Sequence, residues 1–269
     1  MGELIDFKYR DVGKSHLDEK KHTHGNCYEI LQVISGEGNF MIGNCIYPLI
    51  SGAVYFVNGI DYHSSYPRDP QVYIRNKIVI SADFVNKVAE ITDSQYLIDE
   101  LFLREGRQPA QLSDEEFAYV EQEMCQIKNV LKEDCVDTKL QIIIAIFRIY
   151  SRVYAKQDSF IEPIHEHINR TLKFINDNIQ NQMSLIEICQ QVHISKYYLC
   201  HIFKETTGMT VMQYILQRRL AIAKRKLLYT DMSLSEIALS TGFGSFSYFS
   251  MLFKKMEGMQ PSEYRRRNK

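Results

Sequence analysis

Four positions early in the chain carry side chains that could act together: His22 and His24, one residue apart, then Glu29, and His63 farther on. Two imidazoles, a carboxylate and a third imidazole can ligate a divalent transition metal, and the same groups can hydrogen-bond an organic ligand. Close by in sequence are Tyr47, Tyr55, Phe56, Tyr62, Tyr66 and Tyr73. A phenol ring covers the C–H faces of a sugar or related metabolite while its hydroxyl bonds to it, although Tyr is also simply a good strand residue. Tyr73, Arg75 and Lys77 alternate along the chain and so share one strand face. Turned inward, that face would call for an anionic ligand. Turned outward, the usual place for Arg and Lys and the arrangement expected here, it would carry solvated charges.

A second constellation is written twice. Ser184-Leu185-Ile186-Glu187-Ile188-Cys189 aligns with Ser233-Leu234-Ser235-Glu236-Ile237-Ala238 at an offset of 49 residues. Ser195, Tyr198, Phe203, Lys204, Gly208 and Met209 then fall on Ser245, Tyr248, Phe253, Lys254, Gly258 and Met259 at an offset of 50, so one residue is inserted in the second turn. The chain contains one structural unit twice. Each copy opens on S-x-x-E, a capping box that starts a helix. A turn follows, holding His193 in the first copy and Gly242 in the second, and then a Ser that can cap the next helix. This is the pattern of a helix-turn-helix. In the second helix of each copy the apolar stripes Leu199, Ile202, Phe203 and Phe249, Leu252, Phe253 face inward. Lys196, Tyr197, Cys200, His201 and Lys204 then face outward in the first copy, as do Phe246, Ser247, Ser250, Met251, Lys254 and Lys255 in the second.

These side chains need elements to position them. Thr210-Val211-Met212-Gln213 is a third capping-box pattern, and residues 211–228 can form one helix carrying Arg218, Arg219, Lys224, Arg225 and Lys226. Such a rod, ~27 Å long, could set two recognition helices near the ~34 Å spacing of successive major-groove faces. Between Leu17 and Ile80, short apolar runs alternate with turn signals, which predicts a small antiparallel barrel. From Ser113 the period becomes helical, with Phe117, Val120, Met124, Ile127 and Leu131 on one stripe. Thr138 to Tyr154 is apolar nearly all round, so it must be covered by the barrel and the preceding helix or by a second subunit.

With 269 residues the chain exceeds what one core usually organises, and two domains are expected. Charge divides the same way. Residues 161–269 hold fifteen Lys and Arg against nine Asp and Glu, net +6, whereas the first 160 residues are net −7. The positive part suits a polyanion. A 45% apolar share with 24% charged residues excludes disordered and fibrous classes. The six cysteines include no C-x-x-C pair and no zinc-like spacing, as in reduced cytosolic proteins. The longest apolar run, Ile142 to Phe147, is far too short to span a bilayer, and the N-terminus shows no export signal, so a cytoplasmic protein without a membrane partner is expected.

Residues 184–265 resemble the DNA-binding domain of the AraC/XylS family of bacterial transcription regulators. The family pattern is met at Ile237, Ala238, Gly242, Phe243, Ser247, Tyr248, Phe249, Phe253, Lys254, Lys255, Gly258, Pro261, Tyr264 and Arg265. His22, His24, Glu29 and Gly36 resemble the first cupin motif and the usual N-terminal half of such regulators, whereas Val57 to His63 departs from the common P-P-G-x-x-H of the second motif. The resemblance implies an α+β chain. A cupin-like barrel over about 1–80 and helices over about 82–157 make an effector-binding and dimerisation domain; residues 158–269 form an all-α DNA-binding domain with helix-turn-helix units at 184–208 and 233–258. The DNA-contacting set it implies is Ser195, Lys196, Tyr197, Cys200, His201, Lys204, Arg218, Arg219, Ser245, Phe246, Ser247, Ser250, Met251, Lys254 and Lys255. The effector set is His22, His24, Glu29, His63, Tyr55 and Tyr73, with no metal and no cofactor. Double-stranded DNA, a small-molecule effector, a second copy of the chain and RNA polymerase are the implied partners. The competing readings are a metal-dependent cupin enzyme fused to a DNA-binding domain, and a constitutive DNA binder without effector.

Overall fold

The computed structural model describes residues 4–12, 27–59, 63–103, 109–133, 137–155, 161 and 163–268. The chain divides into two units, Met1–Ile164 and His165–Lys269. Residues 156–160 and 162, around the boundary expected between the two domains, lie outside the described residues.

In the first unit the strands are β1 (Leu4–Val12), β2 (Cys27–Ser35), β3 (Gly38–Ile42), β4 (Cys45–Leu49), β5 (Ala53–Asn58), β6 (His63–Pro67), β7 (Ile74–Ser81) and β8 (Ala110–Gln111). They form two antiparallel sheets, ordered β1-β7-β2-β5-β8 and β4-β3-β6. The expected barrel thus takes the form of two sheets sharing a core. Alternation along β2 and β7 decides what each face meets. Tyr28 and Ile30, paired with Ile80 and Ile78, turn to one side. There they pack under α1 (Ala82–Ile91), α2 (Gln95–Ile98), a π-turn (Asp99–Leu103), α3 (Asp114–Glu133) and α4 (Thr138–Tyr154). Phe102 is the hub of this layer, its ring 4.3 Å from Tyr28, 5.5 Å from Phe56 and 5.2 Å from Tyr150. The apolar α4 is covered on most sides: Ile142, Ile143, Ile146, Ile149, Tyr150 and Val153 are buried, while Leu140 and Ile144 stay exposed.

Leu31 and Val33, paired with Lys77 and Arg75, turn to the other side, into the space between the sheets. This corrects the outward placement expected of Tyr73, Arg75 and Lys77. All three are buried, because β7 is a central strand with both of its faces covered.

The second unit consists of α5 (Glu166–Asp177), α6 (Leu185–Val192), α7 (Lys196–Thr207), α8 (Val211–Tyr229), α9 (Leu234–Ser240), α10 (Phe246–Glu257) and α11 (Pro261–Asn268). Three helices start at the expected capping boxes, Ser184 with Glu187, Thr210 with Gln213, and Ser233 with Glu236. Both turns use a left-handed residue, His193 at φ 56° and Gly242 at φ 85°. Gly242 is the more constrained of the two. A Cβ there would stand 2.5 Å from the Ile179 carbonyl oxygen and 2.7 Å from Arg219 Nε.

Two outcomes follow for stability. Gly242→Ala must accept both a disfavoured φ and a backbone clash, so it should lower unfolding stability by about 1–3 kcal/mol, read as an earlier melting transition of the second unit. The second outcome concerns pH. The Glu187 carboxyl is held below its usual range by the Ser184 backbone N–H and then its hydroxyl, and Glu236 is lowered by the Ser233 hydroxyl and backbone. A depressed folded-state pKa stabilises above the unfolded value and ceases to do so as pH falls through the folded one. Melting of the chain between pH 7 and pH 3 should therefore fall less steeply in a Glu187→Gln, Glu236→Gln double variant than in the parent.

Candidate nucleic-acid interface

In both copies the second helix is amphipathic, and its buried side is apolar. Leu199 and Phe203 of α7, and Phe249 and Phe253 of α10, are fully buried. Phe203 stacks edge-on to Tyr214 of α8, and Phe253 edge-on to Tyr264 of α11. Burial of one side fixes which residues face water. The exposed side of α7 holds Lys196, Tyr197, Cys200, His201 and Lys204. Tyr197 and His201 stack one turn apart, ring centroids 6.4 Å and planes 24° apart, and the His201 Nδ1 lies 3.7 Å from a Glu205 carboxylate oxygen. A flat aromatic pair flanked by two ammonium groups can contact base edges and phosphates at once. Ser195 caps α7 by accepting from the Tyr198 N–H, leaving its own hydroxyl proton free to donate at the same surface.

On α10 the exposed set is Ser247, Met251, Lys254 and Lys255 with Phe246, which is 39% exposed. Ser245 caps the helix through the Tyr248 N–H, and the Ser250 hydroxyl donates to Gln260 Oε1 at 2.6 Å. Met251 is 62% exposed, so neither it nor Phe246 serves as core. This helix presents apolar tips between cations, where α7 presents polar ones.

Arg218 and Arg219 of α8 part company. Arg218 is half-buried and donates from Nε to Asn176 Oδ1 at 2.7 Å. Arg219 departs from the DNA-facing position expected of it: it is buried, donating from Nε to the Ile179 carbonyl and from Nη2 to that of Asn181. Burial lowers its pKa, but a guanidinium starts from so high a value that it stays charged. Its role here is to hold the backbone. Sequence inspection also missed Gln182, whose amide donates to the Gly242 carbonyl, and Gln260, which orders Ser250. Neither lies in a repeat position that would have drawn attention to it. α5 went unnoticed too, although the spacing of Ile168, Leu172 and Ile175, all buried, is a helical stripe.

Of the six ligand-type residues expected in the first unit, Glu29, His63, Tyr55 and Tyr73 are among the described residues. His22 and His24 lie outside the described residues. His63 and Glu29 face each other between the sheets, Nε2 to Oε2 at 3.3 Å. Among the described residues no group of three or more His, Cys, Asp or Glu is placed to hold a metal ion. Tyr55 and Tyr73 are both buried in the inter-sheet core, and they do different things. The Tyr55 hydroxyl donates to the Pro48 carbonyl while its ring packs on Phe40, and burial, then the nearby Tyr73, hold its pKa well above the usual phenol value. Tyr73 pairs through its hydroxyl with Ser65 Oγ at 3.2 Å. No helix among the described residues is long and apolar enough to cross a membrane.

Comparison with known proteins bears on both units. The sequence profile of a helix-turn-helix domain matches residues 188–267. The chain is similar to the HTH-type transcriptional activator RhaR of Pectobacterium atrosepticum, 25% identical over 252 residues that span 91% of this chain and 85% of that protein. It is likewise similar to RhaR of Enterobacter sp. (strain 638), 23% identical over 261 residues, 93% of this chain and 88% of the other. Among solved structures, the C-terminal domain of the two-component response regulator YesN from Fusobacterium nucleatum is 32% identical, covering 35% of this chain and 93% of that one with a TM-score of 0.34. A tandem helix-turn-helix with buried apolar backs and exposed reading faces, within a chain similar along most of its length to transcriptional activators, identifies a DNA-binding transcription regulator and supports the resemblance to the AraC/XylS type.

Proposed function

We propose that the protein is a cytoplasmic, non-enzymatic regulator in which a small-molecule effector bound between the two sheets of the first unit alters DNA occupancy by the second. The observation that carries the DNA half is the pair of exposed faces on α7 and α10, each backed by fully buried Leu or Phe residues. The effector half is supported by the polar side chains set into an otherwise apolar inter-sheet core, Tyr73, Ser65, Arg75, Lys77 and the Glu29–His63 pair. An effector acts only as far as it binds two arrangements of the chain unequally.

In this reading α7 does most of the sequence selection through Lys196, Tyr197, Cys200 and His201. The site beneath α10 favours A·T-rich sequence, because only thymine offers a methyl group to Phe246 and Met251 in the major groove. Lys254 and Lys255 neutralise phosphates. Binding titrations on matched operator series separate these roles. His201→Ala should reduce discrimination between preferred and random DNA. Phe246→Ala with Met251→Ala should lower thymine preference under α10 by about 1 kcal/mol or less per methyl at unchanged salt slope. Replacing Lys254 and Lys255 by Ala should weaken all sequences alike and flatten the log K against log salt slope by roughly 1 per lost phosphate contact. A His201→Ala protein with unaltered discrimination would remove α7 from the reading.

The chain is further proposed to act as a homodimer through the helical layer of the first unit, with RNA polymerase as the partner of the DNA-bound form. Leu140 and Ile144 on α4 and Tyr96 on α2 border a groove of about 720 Å³ whose floor includes Phe147, an apolar surface suited to a second copy. Sedimentation of the full chain at micromolar concentration should give a dimer, and Ile144→Glu should shift it to monomer without lowering the melting temperature. A parent chain that sediments as a monomer on DNA would discard the dimer.

A further inference from the structure

The inter-sheet core of the first unit contains a guanidinium, and its surroundings define the chemistry of what it can bind. Arg75 is 5% exposed. Its Cα pairs with that of Val33 across β7 and β2, so its side chain leaves the sheet on the side of Leu31, Val33 and Tyr55 rather than toward the helices. Nη1 reaches Ser65 Oγ of the opposite sheet at 3.5 Å, which places the group between the two sheets. The same Ser65 hydroxyl meets the Tyr73 hydroxyl at 3.2 Å, and the guanidinium carbon lies 5.4 Å from the Tyr73 ring centre. Two residues along the same face, Lys77 sits with its ammonium 3.0 Å from an Asp6 carboxylate oxygen of β1. That Asp6 side chain is 32% exposed, so water reaches this end of the face.

These groups share one property. A guanidinium offers up to five N–H donors in a planar fork and cannot act as an acceptor, and its charge persists at every pH at which the protein is folded. Beside it stand two hydroxyls and an ammonium. The Lys77–Asp6 pair shows that a carboxylate is accommodated on this face. A polyol needs acceptors as well as donors, and the described carboxylates of the region are engaged, Glu29 with His63 and Asp6 with Lys77. A planar anion returns paired charge-assisted bonds to the fork, which are the stronger kind.

We propose that the effector is an anionic small molecule, a carboxylate-bearing metabolite, whose negative group is taken by Arg75 with Ser65 and Tyr73. This rests on the reading that the inter-sheet core is the effector site, and it adds the ligand's charge class. The ring of Tyr55 and the side chains of Leu31 and Val33 are placed to cover the organic part of such a molecule.

Matched acid and neutral probes test the charge class on the full chain: benzoate against benzyl alcohol, and D-galacturonate against D-galactose, each titrated to tens of millimolar. The readouts are the melting temperature of the first unit and the Nε–H nuclear magnetic resonance signal of Arg75, assigned by its absence in Arg75→Lys. At least one acid should shift both saturably, while its neutral counterpart shifts neither. Affinity for the acid should fall roughly tenfold or more in Arg75→Gln, and by a smaller factor in Tyr73→Phe and Ser65→Ala, which keep the core volume and guard against an unfolded Arg75 variant. A neutral probe that binds equally well to the parent and to Arg75→Gln would overturn the charge class while leaving the inter-sheet core as the effector site. Absence of binding by both acids would overturn it as well, since a forked donor site takes simple carboxylates at these concentrations. The effector reading itself would fall separately, if a broad panel of neutral metabolites also left the melting temperature unchanged.

Discussion

Everything the DNA-reading unit does depends on the bolt that Arg219 makes. Its guanidinium leaves the middle of α8 and donates to the carbonyls of Ile179 and Asn181, in the segment that leads into the first helix-turn-helix. The same segment reaches the second helix-turn-helix, where the Gln182 amide donates to the carbonyl of Gly242 in the turn before α10. Gly242 has no Cβ and so leaves room for the arginine. One stretch of backbone is thus tied to the connecting helix and to the turn of the second copy. A buried guanidinium is expensive unless its donors are used, and backbone carbonyls at the end of α5 are acceptors that no helix turn satisfies. The two needs cancel, and the cost of moving either partner alone fixes the geometry.

Around that bolt the two copies are built alike and finished differently. Each begins with a capping box, turns through a left-handed residue, and buries an apolar stripe against its neighbours. The second copy receives an additional latch: Lys224 of α8 sits buried with its ammonium 3.2 Å from both Glu257 carboxylate oxygens and 5.8 Å from the Tyr264 ring. Arg265 of α11 donates to the carbonyls of Leu227 and Met232, closing the loop between α8 and α9. With scaffolding supplied from inside, the outward residues are free to vary. Polar Tyr197 and His201 occupy one face, apolar Phe246 and Met251 the other.

The first unit follows a rule of its own, set by a strand with no solvent side. β7 lies between β1 and β2, with helices over one face and the second sheet over the other. On the helical side Asn76 donates to Gln32 and to Glu121 of α3, and the Tyr9 hydroxyl and Arg10 Nε also donate to Glu121. Burial, then Glu121, pushes the Tyr9 phenol up to about 12, so it stays a donor across the physiological range. On the inner side Arg75 and Lys77 accompany Tyr73. A polar side chain on either face of such a strand must be bonded, and the bonds on the inner face are those a ligand could share.

Local order was legible in the sequence wherever the signal lies within a few residues. The three capping boxes, the apolar stripes of α7 and α10, and the limits of α4 and α8 follow from spacing alone, because a capping-box pattern or a 3.6-residue period needs only neighbours along the chain. The outward residues of the recognition helices were legible for the same reason. What the chain could not disclose locally was the far side of each element. Whether Arg75 points into a core or into water depends on β3 and β6 arriving from elsewhere to cover that face. Arg218 and Arg219 are adjacent and chemically identical, yet one is half-exposed and the other buried, since the Ile179–Asn181 carbonyls come from about forty residues earlier. Sequence determined the periodic elements and the two-copy reader. Tertiary structure decided which charges are scaffold and which are surface, because burial is a property of what packs against a residue and no residue carries it alone.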